Sequence, residues 1–365
     1  MKNNTIGFQV HYGAGKLTCG FLLRLFFNQN RPFLVVQRRS WEKVLKKDDI
    51  HISENKKRIG SLRVIKQKKV ALDSIKEPSI LFVDDLKDSA SIVKQTNCLS
   101  CSLGTKGLAS LKGVLKRHAP KNSVLYAFEN DASLVETVRA ELQEKTRVLF
   151  SLVDRICSKR TVHSSGIIST NTEKWRGQVI VQDTGLLKAS DVVKIAPSKE
   201  LFAFYKHKKL SLVNSIHTVF AFVTLLIEKR RRGVIDLYTG YPIIPFDEMP
   251  VDCKNAVKAW IAMNIFLLIR DHSTLSSIDS IEEMLGYAMN SVKRFSDTFD
   301  TTKRVLNAGI KKRFDKRIKL PRDRVFSHAH SALGQIGKKM NPSVSIDCIK
   351  KTSAEFLNNI SSFCC

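Results

Sequence analysis

Three residues stand at a Lys-x4-Asn-x2-His spacing in the run KLSLVNSIHTVFAF, as Lys209, Asn214 and His217. On a helix that turns by about 100° per residue, Asn214 and His217 lie about 60° apart, and Lys209 stays within an arc of about 140°. Burial disfavours the ammonium form of a lysine, so a lysine held beside an amide and an imidazole is costly unless a site uses it for proton transfer. The alternative is an amphipathic core helix with a solvated lysine, a hydrogen-bonded asparagine and a satisfied histidine.

The elements that would position these residues begin near the N-terminus, where TIGFQVHYGAGKLTCGFLLRLFF predicts a strand, a glycine turn and a helix. Residues 5–10 are β-prone, and Gly13, Gly15 and Gly20 follow them. Glycines at such a turn let a pyrophosphate approach the start of a helix, which predicts a dinucleotide-binding loop. Thr18 stands where the third glycine of G-x-G-x-x-G would be, and Gly20 still allows close helix–strand packing. A plain strand–turn–helix is the alternative.

The end of the second predicted strand, FLVVQRR, bears on the choice of cofactor. An Asp or Glu at this distance from the glycine loop accepts hydrogen bonds from the adenosine ribose and repels a 2′-phosphate. Gln37 removes that repulsion, and Arg38 and Arg39 can neutralise a phosphate. The sequence therefore favours NADP(H) over NAD, unless the two arginines only belong to a generally basic surface.

Four further motifs follow the glycine loop HYGAGKLTCGF. They are LSCSLGTKGL with Gly104, FENDASL with Glu129 and Asn130, LVDRI with Asp154, and KLSLVNSIH. In this order the five motifs resemble those of the polyol-specific long-chain dehydrogenases, the mannitol dehydrogenase family. The resemblance is closest to its mannitol-1-phosphate 5-dehydrogenase branch.

The resemblance implies a metal-independent, NAD(P)-dependent enzyme that acts on a secondary CH–OH group and interconverts a polyol or polyol phosphate with the ketose. Lys209 would be the general acid/base, with a pKa lowered from about 10.4 toward roughly 7–8. Asn214 and Asn130 would donate hydrogen bonds to the developing alkoxide, and His217 would hold a substrate oxygen. Gly104 would lie beneath the nicotinamide, and Asp154 would belong to the cofactor site.

Two departures from the family pattern concern the substrate side. Lys206 and His207 occupy positions at which the family usually has an acidic residue shortly before the catalytic lysine. The Arg-Lys pair of the phosphomannitol enzymes is not evident in SHAHSALGQI. The sequence thus predicts a small polyol or sugar-phosphate substrate without fixing whether it carries a phosphate.

The pattern of elements predicts two domains. Up to about residue 185, β-prone runs alternate with helical segments, which predicts an α/β N-terminal domain with a Rossmann-type doubly wound sheet. The later patterns predict a mainly α-helical C-terminal domain, so we expect domains at 1–190 and 191–365 with the active site in the cleft at the carboxyl ends of the strands. The predicted strands are 5–10, 33–37, 79–83, 98–103, 123–128 and 147–153, with an extra strand at 178–182. The predicted helices are 211–229, 253–269, 278–295 and 349–360.

The charge is unusual, because 61 Lys and Arg against 34 Asp and Glu give a formal net charge of +27. Such a surplus concentrates anionic ligands, including phosphorylated sugars and NADP(H). It also suits nucleic acid or an anionic membrane surface. Without interleaved aromatics or a recognised motif, nucleic acid is disfavoured. The alternative function is a non-catalytic homologue that acts as a basic anion- or nucleic-acid-binding module.

The eight cysteines are scattered, which suits a reducing compartment, and no secretory signal precedes the first strand, so we expect a cytoplasmic protein. Cys98 and Cys101 form a C-x-x-C inside a predicted core strand, where packing explains them better than a metal does. The apolar run 210–227 contains Asn214 and His217, so no membrane span is expected. We expect a monomer or a small homo-oligomer.

Overall fold

Apolar runs such as FLVV and SILFV form strands that are buried on both faces, as inner strands of a parallel sheet are. The strands are β1 (Gln9–Tyr12), β2 (Phe33–Arg38), β3 (Asp49–Glu54), β4 (Lys57–Ile65), β5 (Ser79–Val83), β6 (Cys98–Cys101), β7 (Ser123–Ala127), β8 (Thr146–Phe150), β9 (Leu152–Asp154), β10 (Cys157–Val162), β11 (Ile167–Thr172), β12 (Gln178–Val181) and β13 (Val193–Ile195).

The computed structural model describes residues 8–38, 47–67, 70–129, 132–237, 239–275, 279–297, 300–307, 309–327, 331–340 and 345–364. The chain divides into two compact units, Met1–Phe202 and Ala203–Cys365, called the first and the second unit below. The predicted positions 5–7, 39, 130 and 278 lie outside the described residues.

The first unit is built on a sheet whose order, over the described residues, is β10-β11-β3-β4-β5-β2-β1-β6-β7-β8. Six of its strands, β1, β2, β5, β6, β7 and β8, pair in parallel throughout. Numbered along the chain, these six have the spatial order 3-2-1-4-5-6 of the dinucleotide-binding doubly wound fold. The predicted Rossmann-type sheet is confirmed by this order, which reverses between β1 and β6.

Two hairpins extend the sheet beyond β5 and were not predicted. The hairpin β3–β4 pairs with β5 through β4, and the hairpin β10–β11 pairs in parallel with β3 through β11. The predicted strand 147–153 is broken at Ser151 into β8 and β9, and β9 leaves the large sheet. The extra strand predicted at 178–182 is present as β12, but it pairs with β9 and β13 in a separate sheet.

Helices connect the parallel strands and make up most of the second unit. Those of the first unit are α1 (Leu23–Phe27), α2 (Ala90–Val93), α3 (Gly104–His118) and α4 (Ala132–Leu142). They are followed by α5 (Lys199–Lys209), α6 (Ile216–Arg232), α7 (Val251–Asp271), α8 (Ile281–Asp297), α9 (Thr302–Val305), α10 (Ile310–Phe314), α11 (Leu320–Phe326), α12 (Ser331–Met340) and α13 (Ile346–Ser361). Within the described ranges, three segments are π turns, in which the backbone bonds reach one residue further than in an α-helix: Thr18–Leu22, Leu210–Ser215 and Asp315–Lys319.

Helix α7 forms the centre of the second unit. It is apolar on nearly every side and contacts α6, α8, α11, α12 and α13. A helix that is hydrophobic all round must be enclosed by its neighbours, and Trp260 packs edge-on against Phe356 with ring centroids 5.2 Å apart. The four predicted helices are present as α6, α7, α8 and α13, so the mainly helical C-terminal part is confirmed.

The continuous helix Lys199–Arg232 is long and apolar enough to cross a membrane by length and composition, and 83% of its apolar window is buried inside the protein. A core helix has the same properties, so this segment is weak evidence for a membrane span.

Candidate active site

The glycine loop follows β1 at the point where the strand order reverses. Gly13 has φ +98°, and a Cβ on it would lie 2.6 Å from the carbonyl oxygen of Ser102, which follows β6. Only glycine combines this backbone conformation with so close an approach. Gly15 is different, because its nearest neighbour would be 3.9 Å from a Cβ. The loop therefore lies at the sheet edge where doubly wound folds bind their ligands, with open space at its second glycine.

Ala14, between these glycines, is held by side chains from two strands. Its amide donates to Oε1 of Gln37 at 2.8 Å, and its carbonyl accepts a hydrogen bond from Nη1 of Arg160. Cys19 Sγ also donates to this carbonyl, at 3.3 Å. Gln37 Nε2 donates to the carbonyl of Arg38 at 3.1 Å. The amide of Gln37 is thus used to fix the glycine loop, a role the sequence did not indicate.

A buried histidine explains why threonine stands at the third glycine position. His11 is fully buried in β1, with Nδ1 2.8 Å from Ser100 Oγ and Nε2 3.0 Å from Thr18 Oγ1. The Thr18 hydroxyl also hydrogen-bonds the hydroxyl of Ser102. Burial lowers the pKa of His11 to about 3, against a smaller opposing effect of the Gly13 backbone. The imidazole is therefore neutral, and it ties the π turn Thr18–Leu22 to β1 and β6.

A carboxylate occupies the start of helix α3. Glu129, which follows β7, accepts hydrogen bonds from the amides of Leu103 at 2.6 Å and Gly104 at 3.1 Å. Gly104 has φ +69° and no neighbour within 4 Å of a Cβ. Burial raises the pKa of Glu129, and the two amide bonds oppose that shift. An ionised carboxylate at a helix N-terminus is favoured by the helix dipole, so Glu129 fixes the loop that carries Gly104.

The remaining residues predicted for the cofactor site lie in several different elements of the first unit. Gly20 packs against the inserted hairpin rather than β1, because a Cβ on it would meet Thr170 and Cys157 within 2.9 Å. Asp154 is buried at the carboxyl end of β9 in the separate sheet. Arg38 is exposed at the end of β2, and Arg39 lies outside the described residues.

In the second unit, a π turn separates Lys209 from Asn214. A turn whose backbone bonds run from i to i+5 holds more residues than an α-helical turn, so a five-residue step brings these two side chains closer to one face than the separation of about 140° on a regular helix. Ser215 Oγ donates to the carbonyl of Leu210 at 3.1 Å across the same turn. His217 follows three residues later on α6. The x4 spacing, which fits a regular helix poorly, is matched to this widened turn.

His217 is oriented by an acidic residue that sequence reasoning missed. Its Nε2 lies 3.1 Å from Oδ2 of Asp300, and its ring stacks on Phe295 at 4.0 Å between centroids. Burial lowers the pKa of His217, although Asp300 opposes this shift. Burial would raise the pKa of Asp300, but hydrogen bonds from His217 and Arg304 lower it to about 2. The proximity of Nε2 to an ionised carboxylate favours the neutral tautomer with its proton on Nε2, in which Nδ1 is an acceptor.

Two arginines, Arg313 and Arg317, adjoin the same turn. Nη1 of Arg317 donates to the carbonyl of Asn214 at 2.8 Å, and Thr218 Oγ1 donates to that carbonyl at 2.9 Å. Burial, and secondarily the neighbouring Arg313, lowers the pKa of Arg317 to about 10. Nε of Arg313 is buried without a hydrogen-bond partner, and within the described residues neither guanidinium pairs with a carboxylate. Such half-buried cations favour an anionic ligand.

Asn130 lies outside the described residues, so the second amide expected at the reacting oxygen is not located. The first unit carries a glycine loop suited to a dinucleotide, and the second carries a lysine, an amide and an imidazole on one helix face. No local pattern could have indicated Asp300 or Arg317, because each acts across a separation of more than 80 residues.

No protein-family model and no curated protein matches the sequence. Among solved structures, one similar chain is a PanE/ApbA family ketopantoate reductase from Ralstonia eutropha, with 10% identity, a TM-score of 0.48 and coverage of 97% of this chain and 99% of that one. An octopine dehydrogenase in complex with NADH and agmatine has 11% identity and a TM-score of 0.48, covering 98% and 89%. A glycerol-3-phosphate dehydrogenase from Coxiella burnetii has 10% identity and a TM-score of 0.42, covering 96% and 98%.

Proposed function

We propose that the chain is an NAD(P)-dependent oxidoreductase of the mannitol dehydrogenase type. It oxidises a secondary CH–OH group of a polyol or polyol phosphate to the ketose, and reduces the ketose in the reverse direction, without a metal ion. The observation that carries the proposal is the glycine loop, with Gly13 in a glycine-only conformation, at the reversal point of a sheet ordered 3-2-1-4-5-6.

The residues around that loop fit a dinucleotide. Gly15 leaves room for close approach of a pyrophosphate, and the helix that follows begins at Lys16 with its positive dipole end toward the loop. Arg38 and Arg160 add positive charge on the side of β2 and β10. When bound, the nicotinamide supplies a hydride acceptor or donor. NADP(H) is favoured over NAD because no carboxylate stands at position 37.

Proton transfer is assigned to Lys209, which takes the hydroxyl proton as general base and returns it in the reverse direction. The side-chain amide of Asn214 shares its face and donates to the developing alkoxide, as Asn130 is proposed to do. His217 accepts a hydrogen bond from a substrate hydroxyl through Nδ1, since Nε2 faces Asp300. Arg317 positions Asn214 through its backbone carbonyl.

The half-buried guanidinium groups of Arg313 and Arg317 support a phosphorylated substrate. Both lack a carboxylate partner within the described residues, and Arg317 touches the backbone of Asn214. A phosphate would supply the missing negative charge with acceptor oxygens suited to guanidinium groups. Mannitol 1-phosphate and fructose 6-phosphate are therefore the first substrates to assay.

Substitution of Lys209 tests the assignment of the general acid/base. Lys209→Ala should lower kcat by about 10²–10⁴-fold, because a positioned proton acceptor is lost, while the Kd for NADP(H) stays nearly unchanged. Lys209→Arg is the matched control, since it retains the positive charge but cannot deprotonate. We expect Lys209→Arg to be as inactive as Lys209→Ala. Unchanged turnover in either variant would exclude Lys209 as the proton-transfer group.

A further inference from the structure

The glycine loop receives an arginine from outside the doubly wound sheet. Arg160 belongs to β10, an edge strand of the inserted hairpin β10–β11, and is 146 residues from the alanine that it contacts. The hairpin packs against the π turn Thr18–Leu22, where Gly20 permits contact with Thr170 and Cys157. The insertion is thereby fixed against the loop, and it brings a guanidinium to Ala14.

The loop residue that Arg160 contacts is also bonded to the end of β2. Ala14 is bonded through its amide to Gln37, at the end of β2, and through its carbonyl to Arg160. In doubly wound folds the residue at the end of the second strand reads the adenosine ribose, and an arginine nearby accommodates a 2′-phosphate. Arg160 and Gln37 thus flank one residue at the position where a ribose 2′ substituent is recognised.

Positive charge is concentrated at this position. Arg160 and Lys16 are both cations near the N-terminal end of the helix that follows the loop, where the helix dipole is also positive. Arg38 is a third cation, exposed beside Gln37. Gln37 itself is neutral, and its amide oxygen is bonded to the loop. A phosphate group would offset this charge, and the planar guanidinium donates to phosphate oxygens in a geometry that few other side chains provide.

We propose that Arg160 binds the 2′-phosphate of NADP(H) and makes the first unit selective for NADP(H) over NAD(H). This inference rests on the proposed function only in requiring that the loop bind an adenine dinucleotide. Gln37 then acts by fixing the loop through Ala14, while the inserted hairpin supplies the residue that distinguishes the two cofactors.

The test uses two nucleotides that differ only in the 2′-phosphate, adenosine 2′,5′-bisphosphate and adenosine 5′-monophosphate, titrated calorimetrically into the full chain. Wild type should bind the bisphosphate at least about tenfold more tightly, as one charge-assisted contact implies. Arg160→Gln should remove most of that difference and leave binding of the monophosphate within about twofold. Arg160→Lys keeps the positive charge but lacks the planar guanidinium, so it should retain part of the preference for the bisphosphate.

Lys159→Gln is the matched control, because Lys159 is an exposed cation on the same strand and its loss changes the net charge equally. We expect it to bind both nucleotides as wild type does. Equal affinity of wild type for the two nucleotides would overturn the inference while leaving the proposed function intact. If Arg160→Gln weakened the binding of the two nucleotides equally, the inference would also be overturned. Arg160 would then contact the 5′-phosphate, the ribose or the adenine, which both nucleotides contain. Binding of neither nucleotide by wild type would reject the dinucleotide site itself.

Discussion

A buried carboxylate determines which nitrogen of His217 can face a ligand. Asp300 is almost inaccessible, with 1% of its side chain exposed, and it lies between the imidazole and Arg304. The carboxylate stays ionised, because hydrogen bonds from both partners outweigh the effect of burial on its pKa. This neighbouring charge favours the neutral tautomer with its proton on Nε2, in which Nδ1 can accept a hydrogen bond.

Replacing this carboxylate should change the titration of the histidine. Asp300→Asn removes the negative charge that opposes the effect of burial, so the pKa of His217 should fall below its wild-type value. The measurement is the imidazole titration by NMR, with the signal assigned through His217→Gln. Arg304→Gln is a useful control, because it removes a nearby positive charge and should move the pKa upward. An unchanged or raised pKa in Asp300→Asn would contradict the account of this pair.

His11 makes the stability of the first unit depend on pH. Its pKa is about 3 in the folded protein and about 6.5 when unfolded, so between these values the unfolded chain binds the extra proton. The contribution of His11 to the free energy of unfolding is therefore fully present above about pH 6.5. It decreases as the pH falls, by about 2 kcal/mol between pH 7 and pH 5.

This dependence is tested by measuring the free energy of unfolding in urea for wild type and His11→Gln, each at about pH 7 and at about pH 5. The glutamine retains a donor and an acceptor but does not titrate, so its loss of stability on acidification should be smaller by about 2 kcal/mol. An identical pH dependence in the two proteins would show that His11 is not buried in its neutral form.

Among the elements, the π turns stand out by their location. One begins at Thr18 beside the glycine loop, a second separates Lys209 from Asn214, and the third contains Arg317. The second and third contact one another through the hydrogen bond from Arg317 to the Asn214 carbonyl. Local π turns in helices are frequent at functional sites, because the altered backbone pattern leaves carbonyls for side-chain donors.

The two glycines of the loop should respond differently to alanine. Gly13→Ala forces a Cβ to within 2.6 Å of a backbone oxygen at φ +98°, so we expect the unfolding midpoint to fall markedly. Gly15→Ala meets nothing nearer than 3.9 Å, so the protein should keep its stability and lose affinity for NADP(H). Thermal unfolding and nucleotide titration of both variants test this contrast. Undiminished binding by Gly15→Ala would argue against pyrophosphate at this loop.

Strong local patterns predicted much of the fold, and non-local pairing limited the rest. The apolar strands β2 and β5 and the amphipathic helices were recognisable because their side-chain periodicity is local. The hairpins β3–β4 and β10–β11 were missed, since basic residues interrupt their alternation and no sequence signal reports a partner strand. β12 was recognised but assigned to the wrong sheet, because its register depends on β9 and β13.

For the candidate site, too, local features could be predicted from the sequence and non-local contacts could not. The Lys209, Asn214 and His217 spacing and the glycine loop are local, so their residue types could be read directly. Asp300 and Arg160 could not, because folding brings them to His217 and Ala14 from distant parts of the chain. Gln37 was recognised at the right position, but its bond to the loop depends on the paths of two strands.

At the scale of the whole molecule, the net charge of +27 should affect ligand binding through ionic strength. The Debye length falls from about 30 Å at 0.01 M to about 10 Å at 0.1 M, so attraction of an anionic nucleotide should weaken over this range. We expect the association rate of NADPH in stopped-flow fluorescence to fall several-fold as NaCl is raised, with a smaller change in the dissociation rate. An association rate independent of salt would indicate that the basic surface does not attract the cofactor.

The most direct test of the central claim is nicotinamide absorbance during reaction of the full chain with candidate substrates. Mannitol 1-phosphate, fructose 6-phosphate, mannitol and fructose are each assayed with the matching redox form of both cofactors, for wild type and Lys209→Ala. We predict turnover of at least one polyol–ketose pair by wild type, a preference for NADP(H), and loss of that turnover in Lys209→Ala. Absence of turnover with all four compounds and both cofactors, in a protein that is folded, would contradict the proposed polyol dehydrogenase.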